Sequence, residues 1–442
     1  MNDVAAGKPR ANLSLEAALA ESEARFTAAN PKSRQRQDEA AKVMPGGNTR
    51  TVLFYTPFPV TLVKGEGCRV EDLDGHSYVD LLGEYTAGLY GHSHPVILEA
   101  VREALAGGIV LGGPNPYEAP LARLICSRFP SCELVRFTNS GTESNLMAIG
   151  TARIATGRSH VLVFEGGYHG GVLTFGAGGS PINVPFPYVM APYNDTKATL
   201  ALIERHAKEL ACVLVEPMMG SGGAIAAQPD FLAALREATR RHGIVLIFDE
   251  VMTSRLSSGG LQKKLGITPD LTSFGKYIGG GLTFGAFGGS AALMGRYDPH
   301  RPDYVGHAGT FNNNVLTMAA GVAGLSRLYT PEAADRLNGM GDALRQRLNE
   351  LGRKAGIAVQ ATGVGSIMTV HFQRQPIARP EDAKATPAAL RALFHLEMLA
   401  RGYYLARRGF ISLSLAHGQA ELGGFADAFA DFLATHRSIL PT

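Results

Sequence analysis

The sequence predicts an α/β protein built around a mainly parallel β-sheet. Between about residues 117 and 328, apolar runs of strand length alternate with amphipathic stretches of helix length, the pattern of repeated strand–helix–strand units. Residues 60–82 have a strand-like pattern, and the sequence after residue 328 has both helix-like and strand-like patterns. Together they indicate a smaller α+β part made from the two chain ends. With 442 residues, 45% of them hydrophobic, the chain can bury a large core.

The N-terminal part predicts a helix followed by short strands. Residues 14–29 favour a helix with Ser14 as its cap, although Ser22 interrupts the apolar stripe. Residues 60–82 favour a small hairpin structure, because glycine-containing turns separate its β-like runs.

The central and C-terminal parts define the remaining elements. The predicted sheet strands are 134–139, 160–166, 211–217, 243–250 and 271–275, with helices such as 142–156 and 230–241 between them. The C-terminal elements are a helix at 332–353, strands at 365–372 and 410–415, and a helix at 423–435. We therefore predict three parts: an N-terminal segment (1–84), a large domain (85–328) and a C-terminal small domain (329–442).

Composition excludes several classes of protein. A formal net charge of +3, from 42 Lys+Arg and 39 Asp+Glu, provides no strong field for nucleic acid. No apolar run reaches about 18 residues and the first 25 residues lack a leader pattern, so we expect a cytoplasmic protein with no membrane partner. The cysteines match no zinc spacing and are expected to be buried, reduced thiols; we expect no metal site. They are Cys68, Cys126, Cys132 and Cys212.

Polar residues that directly follow the predicted strands are the first candidates for a site, because ligands of open α/β sheets bind at the carboxyl ends of the strands. Ser140, Gly141 and Thr142 follow the first sheet strand and open a helix. Their small side chains suit an anion at the positive end of the helix. The same residues also fit an ordinary helix cap, formed by Ser140 or Thr142.

Two further strand ends carry an aromatic ring and an acid. Tyr168 lies in the glycine-rich turn GGYHGG, where it could stack on a planar cofactor or be a buried turn residue. Asp249 ends the apolar run GIVLIFDE, a costly place for a carboxylate without a cationic partner. That partner could be a pyridinium nitrogen or the guanidinium of Arg255.

A single lysine follows the last of these strands. Lys276 stands between an apolar run and a cluster of three glycines. Apolar surroundings favour the neutral amine, the form that attacks an aldehyde, although an isolated lysine is more commonly an ordinary surface residue.

Together these motifs resemble those of fold-type I, class III pyridoxal-5′-phosphate (PLP) aminotransferases. More narrowly they resemble the branch shared by glutamate-1-semialdehyde aminomutase and the β-amino acid (β-phenylalanine) aminotransferases, over roughly residues 40–420. The motifs are NSGTESN (139–145), GGYHGG (166–171), VEPM (215–218), IFDEVMTS (247–254), GKYIGGG (275–281) and AGTFNNN (308–314).

The resemblance implies how the cofactor ring is held. Lys276 would be the Schiff-base lysine and proton carrier, and Asp249 the partner of the pyridine nitrogen. Tyr168 would stack on the ring and Val251 would support its opposite face. Many class III enzymes have Gln where this chain has Met252, so the hydrogen bond to the PLP 3′-oxygen must come from another residue.

The resemblance also implies a shared site. Ser140, Gly141 and Thr142 would hold the cofactor phosphate together with Thr310 of a neighbouring subunit. The expected assembly is thus a homodimer with active sites at its interface.

By the same resemblance, Arg50 and Arg408 would receive the carboxylates of a β-amino acid and of a keto acid such as 2-oxoglutarate, in a ping-pong aminotransferase. Either arginine could instead be a surface charge. The aromatic residues 51–58 suit a side-chain pocket, although core packing explains them equally. The aminomutase remains an alternative. It is disfavoured because the AGTFNNN motif differs from the sequence motif typical of that enzyme.

Two other classes of function fit the sequence poorly. A nucleotide-binding oxidoreductase would need the spacing G-x-G-x-x-G, which residues 279–285 miss by one position. A regulator built on an aminotransferase fold would need a DNA-binding module, and the first 40 residues provide no basic helix-turn-helix text.

Overall fold

A computed structural model describes residues 14–442 of the chain. The helices in this part are α1 Leu15–Ala29, α2 Pro31–Ala41, α3 Pro95–Ala106, α4 Glu118–Arg128, α5 Gly141–Thr156, α6 Thr196–Arg205, α7 Pro229–His242, α8 Gly260–Leu265, α9 Ala291–Met294, α10 Val315–Ala323, α11 Pro331–Ala355, α12 Ala388–Ala400 and α13 Gln419–Thr435. The strands are β1 Leu62–Glu66, β2 Arg69–Asp72, β3 Ser77–Asp80, β4 Leu134–Thr138, β5 His160–Phe164, β6 Tyr188–Ala191, β7 Leu210–Val215, β8 Met218–Met219, β9 Ile225–Ala226, β10 Val245–Asp249, β11 Leu271–Gly275, β12 Gly285–Gly289, β13 Gln360–Val364, β14 Ile367–His371, β15 Tyr403–Tyr404 and β16 Phe410–Ser412.

The centre of the molecule is a seven-stranded sheet in the order β4-β12-β11-β10-β7-β5-β6. Only β12 runs antiparallel to its neighbours, so the sheet is mainly parallel, and the predicted α/β fold class is confirmed. All five predicted sheet strands are present, whereas β6 and β12 were not predicted. The sequence of β12, GAFGG, lacks the β-branched residues that mark a strand.

Both faces of this sheet are covered by apolar residues, as expected for parallel strands. Along β10, Leu246 and Phe248 point into one core and Val245 and Ile247 into the other. The alternation explains why this strand reads as a continuous apolar run. It also makes Asp249 the first charged side chain at the strand's carboxyl end.

Smaller sheets join the two ends of the chain. Strand β15 pairs in parallel with β3, and β14 lies between β13 and β16. Helix α1, capped by Ser14, packs against α12. Ser22, which interrupts the apolar stripe of α1, is buried and donates a hydrogen bond of 2.5 Å to Glu397 of α12. The division into three parts at residues 84 and 328 stays a prediction.

Two further expectations concern the environment of the chain. Among residues 14–442, no helix is long and apolar enough to cross a membrane. The four cysteines are free thiols: Cys68, Cys132 and Cys212 are buried and Cys126 is partly buried.

Candidate active site

The strand-end candidates meet at the carboxyl edge of the central sheet. Asp249 is the last residue of β10, and Lys276 directly follows the neighbouring parallel strand β11. Ser140 lies beyond β4 and caps α5. The side chain of Val251 fills the space between them, because a Cβ added at Gly141 or Gly275 would contact its methyl groups.

Asp249 is buried and held by three hydrogen-bonding groups. Its Oδ2 lies 2.8 Å from Nδ2 of Asn145 and 2.8 Å from Nδ1 of His169. Its Oδ1 accepts a hydrogen bond of 3.0 Å from the backbone N–H of Val251. Such a network keeps a carboxylate fixed in one orientation at low solvent exposure.

Arg255 is not the partner of Asp249. Its buried guanidinium donates to the carbonyl of Thr86 at 3.3 Å and to the hydroxyl of Ser412 at 3.1 Å. The salt bridge considered from the sequence is therefore wrong, since Arg255 faces the C-terminal lobe.

Glu216 fixes the turn that carries Tyr168. It follows β7, and its carboxylate accepts hydrogen bonds of 3.0 Å from the backbone N–H groups of Tyr168 and Gly220. Burial raises the pKa of Glu216 to about 7. The tyrosine side chain is 47% exposed, so the alternative of a buried turn residue is wrong and its ring is free to meet a ligand.

Lys276 is partly buried and adopts a left-handed backbone conformation, with φ 57°. Its Nζ donates a hydrogen bond of 2.7 Å to the carbonyl of Tyr85. Burial lowers its pKa to about 8, while the negative charges of Glu84 and Asp249 oppose that shift. The interpretation as an ordinary surface lysine is wrong, because the side chain is partly buried and its amine is hydrogen-bonded to a distant backbone carbonyl.

The start of α5 serves as a helix cap and also leaves room for an anion. Ser140 Oγ accepts a hydrogen bond of 3.2 Å from the N–H of Glu143, so the capping reading is confirmed. Thr142 Oγ1 accepts one of 3.3 Å from Gly171, which brings the tyrosine turn against the helix start. Both side chains remain at least partly exposed at the positive end of a 16-residue helix.

Two arginines contact the turn that contains Glu84 and Tyr85. Arg50 forms an ion pair of 2.5 Å with Glu84, and its side chain is half exposed. The guanidinium carbon of Arg408 lies 5.0 Å from the centre of the Tyr85 ring and 5.3 Å from that of Phe410. Within residues 14–442 the buried Nε of Arg408 makes no hydrogen bond.

A left-handed turn at residues 83–86 brings these groups to the lysine. The φ values of Gly83, Glu84, Tyr85 and Thr86 are 52°, 45°, 51° and 85°. Positive φ at three successive non-glycine residues is costly and occurs mainly where function or packing requires it. Here it directs the Tyr85 carbonyl at Lys276 and the Glu84 carboxylate at Arg50.

Sequence reasoning missed several of these residues. Glu216, His169 and Asn145 all lie in the quoted motifs, and Glu216 directly follows a buried strand, so the strand-end rule could have found it. Glu84 and Tyr85 follow no strand of the central sheet and belong to no quoted motif. Only their contacts with distant residues reveal them.

The remaining candidate for the phosphate site, Thr310, lies in the loop that precedes α10. It lies in an exposed loop, and among the described residues no hydrogen bond joins it to the start of α5. The loop itself is anchored nearby, because Asn312 Oδ1 accepts a hydrogen bond of 2.9 Å from Asn139. The expected contribution of Thr310 to a neighbouring subunit stays a prediction.

The fold and site define a transferase of the fold-type I, PLP-dependent class. Residues 54–393 match the family model of aminotransferase class-III, and the chain belongs to that family. It is 53% identical to the β-phenylalanine transaminase of Variovorax paradoxus over 427 residues, or 97% of this chain and 98% of that protein. It is 38% identical to glutamate-1-semialdehyde 2,1-aminomutase 2 of Brevibacillus brevis, covering 88% and 95% of the two chains.

Solved structures agree with this assignment. A β-phenylalanine aminotransferase from Variovorax paradoxus superposes with a TM-score of 0.95 at 53% identity, covering 97% of this chain and 99% of that chain. A transaminase with PLP bound superposes with a TM-score of 0.85 at 33% identity, covering 92% and 98%. The chain is therefore a PLP-dependent transaminase, and a nucleotide-dependent oxidoreductase is excluded.

The residues present fit PLP. A fixed carboxylate at Asp249 suits a protonated ring nitrogen, and a lysine whose pKa lies near 8 suits covalent attachment of an aldehyde. A Cβ added at Gly141 would be blocked by Val251, so the start of α5 meets Val251 as bare backbone.

Proposed function

We propose that this enzyme transfers the amino group of a β-amino acid of the β-phenylalanine type to a keto acid such as 2-oxoglutarate. One observation carries the proposal: Arg50 pairs with Glu84 and Arg408 lies over the ring of Tyr85, whose carbonyl accepts a hydrogen bond from the amine of Lys276. Two guanidinium groups beside one reactive lysine suit substrates that each bring a carboxylate. The name of the relative that is 53% identical supports the choice of donor.

In this proposal Tyr168 and Val251 would hold the two faces of the cofactor ring. When bound, PLP accepts the amino group from the donor, stores it, and withdraws electrons from the carbon that loses a proton. Asp249 keeps the ring nitrogen protonated, and His169 and Asn145 orient Asp249 for that task. A fixed carboxylate does this better than a mobile one, because no reorganisation is needed during the reaction.

Lys276 moves the proton. Its Nζ would take the proton that the donor carbon loses, hold it, and give it back on the return half of the cycle. A pKa of about 8 suits both directions, because the amine is neither strongly acidic nor strongly basic at neutral pH. The donor product leaves before the acceptor binds, which makes the cycle ping-pong.

The two arginines have different surroundings and so suit different carboxylates. Arg50 is already paired with Glu84, so a substrate carboxylate must compete with that side chain. Arg408 has no carboxylate within 4.0 Å among residues 14–442, and its partly buried guanidinium gains most from an incoming anion. We assign the β-amino acid carboxylate to Arg50 and the keto acid carboxylate to Arg408.

We further propose a homodimer in which Thr310 completes the phosphate site formed by Ser140, Gly141 and Thr142 of the other subunit. Exposed apolar side chains support this assembly, because water-exposed clusters of this kind commonly mark interfaces. Those flanking the loop of Thr310 and the loop bonded to it are Ile109, Val110, Leu111, Tyr304 and Phe311.

A direct assay separates the proposal from the aminomutase alternative. The purified enzyme is given β-phenylalanine with 2-oxoglutarate, and in parallel glutamate-1-semialdehyde alone. We expect glutamate to form in the first reaction and no isomerisation in the second. The Lys276→Ala variant serves as the blank for both. Isomerisation without amino transfer to 2-oxoglutarate would refute the proposal in favour of the aminomutase.

A further inference from the structure

A cavity of about 310 Å³ adjoins the active site, within the usual range for small-molecule sites of roughly 300–1,000 Å³. It extends from the segment that follows Arg50 to the loop of Arg408, and Tyr85 forms a wall shared with the lysine site. The residues lining it are Val52, Tyr85, Ala388, Arg391, Ala406, Arg407 and Arg408.

Three guanidinium groups line this cavity without an acid to balance them. In residues 14–442 no carboxylate lies within 4.0 Å of Arg391, Arg407 or Arg408, whereas Arg347, Arg379 and Arg401 each pair with a carboxylate. Burial lowers the pKa of Arg391, and the positive charge of Arg407 lowers it further. Clustered like charges at a partly buried place destabilise the protein unless an anion joins them.

The positions of the three arginines suggest what the anion is. Arg408 stands at the wall shared with the lysine site, where the proposed function places the acceptor carboxylate. Arg391, in the first turn of α12, and Arg407, which precedes Arg408 in the chain, line the same cavity. A ligand that spans the cavity from Arg408 would therefore meet them with a second negative group.

We propose that Arg391 and Arg407 form a second carboxylate subsite, which binds the distal carboxylate of a dicarboxylic keto acid whose first carboxylate binds Arg408. The inference rests on the proposed function and deepens it, because it explains a preference for a dicarboxylic over a monocarboxylic acceptor. Guanidinium groups suit this task, since each can bind a carboxylate through two parallel hydrogen bonds. A free inorganic anion is the competing occupant.

The first test compares acceptors. For Arg391→Ala and Arg407→Ala, we expect the ratio of kcat/KM for 2-oxoglutarate to that for pyruvate to fall at least tenfold. Arg407→Lys keeps the charge but loses the paired hydrogen bonds. Its ratio of kcat/KM values should lie between that of Arg407→Ala and that of the unchanged enzyme. The matched control is Arg240→Ala, which removes an exposed arginine on α7 and should leave the ratio unchanged.

The second test measures binding without turnover. Calorimetric titration of the holoenzyme with glutarate, a dicarboxylate that cannot react, should give an affinity at least tenfold higher than butyrate. In Arg407→Ala that difference should be lost. If glutarate and butyrate bind with equal affinity, and inorganic phosphate displaces both equally, the arginines form an anion site that does not recognise a second carboxylate. That result would overturn the proposal.

The outcomes distinguish the subsite from the proposed function. If the unchanged enzyme transfers no amino group to any keto acid, the proposed function fails, while glutarate binding still tests the subsite. If transfer is normal but neither variant changes the acceptor ratio, the subsite alone is refuted. Cofactor absorbance and the midpoint of thermal unfolding, measured on every variant, identify a change that comes from misfolding.

Discussion

The Nζ atom of Lys276 donates a hydrogen bond of 2.7 Å to the carbonyl oxygen of Tyr85, 191 residues away in the chain. The bond links the strand-end lysine to the left-handed turn at residues 83–86. Since the same turn places Glu84 at Arg50, one short segment contacts both the lysine and the guanidinium that we propose to bind substrate. Changes in this turn are therefore expected to affect chemistry and binding together.

Replacing Lys276 by alanine should abolish turnover, because both the covalent attachment and the proton carrier are lost. We expect activity at least about 10⁴-fold lower, consistent with removal of a general acid–base group. Amino transfer to 2-oxoglutarate is the measurement, and Lys264→Ala, an exposed lysine of α8, is the control. Borohydride should attach the cofactor to the peptide containing residue 276 in the unchanged enzyme; labelling of another lysine would contradict the assignment.

Recombination of the apoenzyme with PLP should accelerate with rising pH. Since burial lowers the pKa of Lys276 to about 8, about one tenth of the amine is neutral at pH 7, and that fraction grows as pH passes 8. The rate should therefore rise to a plateau with a midpoint near pH 8.

Glu84→Gln removes a negative charge that favours the ammonium form of Lys276. The recombination midpoint should thus move to lower pH in this variant. Glu66→Gln, on the exposed strand β1, is the control. Stopped-flow absorbance measures the rate of PLP recombination against pH for both variants. A shift of the Glu84→Gln midpoint to higher pH would contradict the electrostatic explanation.

Substituting asparagine for Asp249 should lower kcat by at least about 100-fold, the rate equivalent of roughly 3 kcal/mol for a charge-assisted hydrogen bond. His169→Ala should have a smaller effect, because it removes only one of the groups that orient Asp249. Steady-state kinetics with the cofactor in excess separates lost rate from lost binding. Equal losses in both variants would show that His169 does more than orient the carboxylate.

Two glycines near α5 should respond oppositely to alanine. A Cβ at Gly285 would overlap the carbonyl of Ser140 and the hydroxyl of Thr138, so Gly285→Ala should destabilise the fold by about 1–3 kcal/mol. Gly150 lies inside α5 with open space around it, and its replacement should stabilise by about 0.5–1 kcal/mol. Denaturant unfolding of the two variants gives both values, and a neutral Gly285→Ala would show that β12 can shift.

An acidic residue at Val110 should weaken the proposed homodimer. This side chain is 80% exposed in the single chain, and burying an unpaired aspartate at an interface is costly. Val110→Asp should shift sedimentation toward monomer and lower activity at low protein concentration. Val63→Asp, an exposed position on β1, is the control. An unchanged dimer would place the interface elsewhere.

Local patterns were enough to predict the large sheet and the residues at its carboxyl edge. The strands around Asp249 and Lys276 read as buried apolar runs, and each run ends where its polar residue begins. Strand β12 was not predicted, because its glycine-rich sequence has no strand propensity of its own. It forms because its neighbours β4 and β11 provide hydrogen-bonding partners.

By itself, the sequence determined the fold class, the family resemblance and the strand-end residues, because apolar periodicity and short motifs are local properties of the chain. Only the tertiary structure decided that Asp249 bonds to His169 and not to Arg255, and that Tyr85 meets Lys276. It also decided that Arg391 lines a cavity with Arg408. Such contacts join residues far apart in the chain, and their geometry depends on how the packed lobes place each side chain.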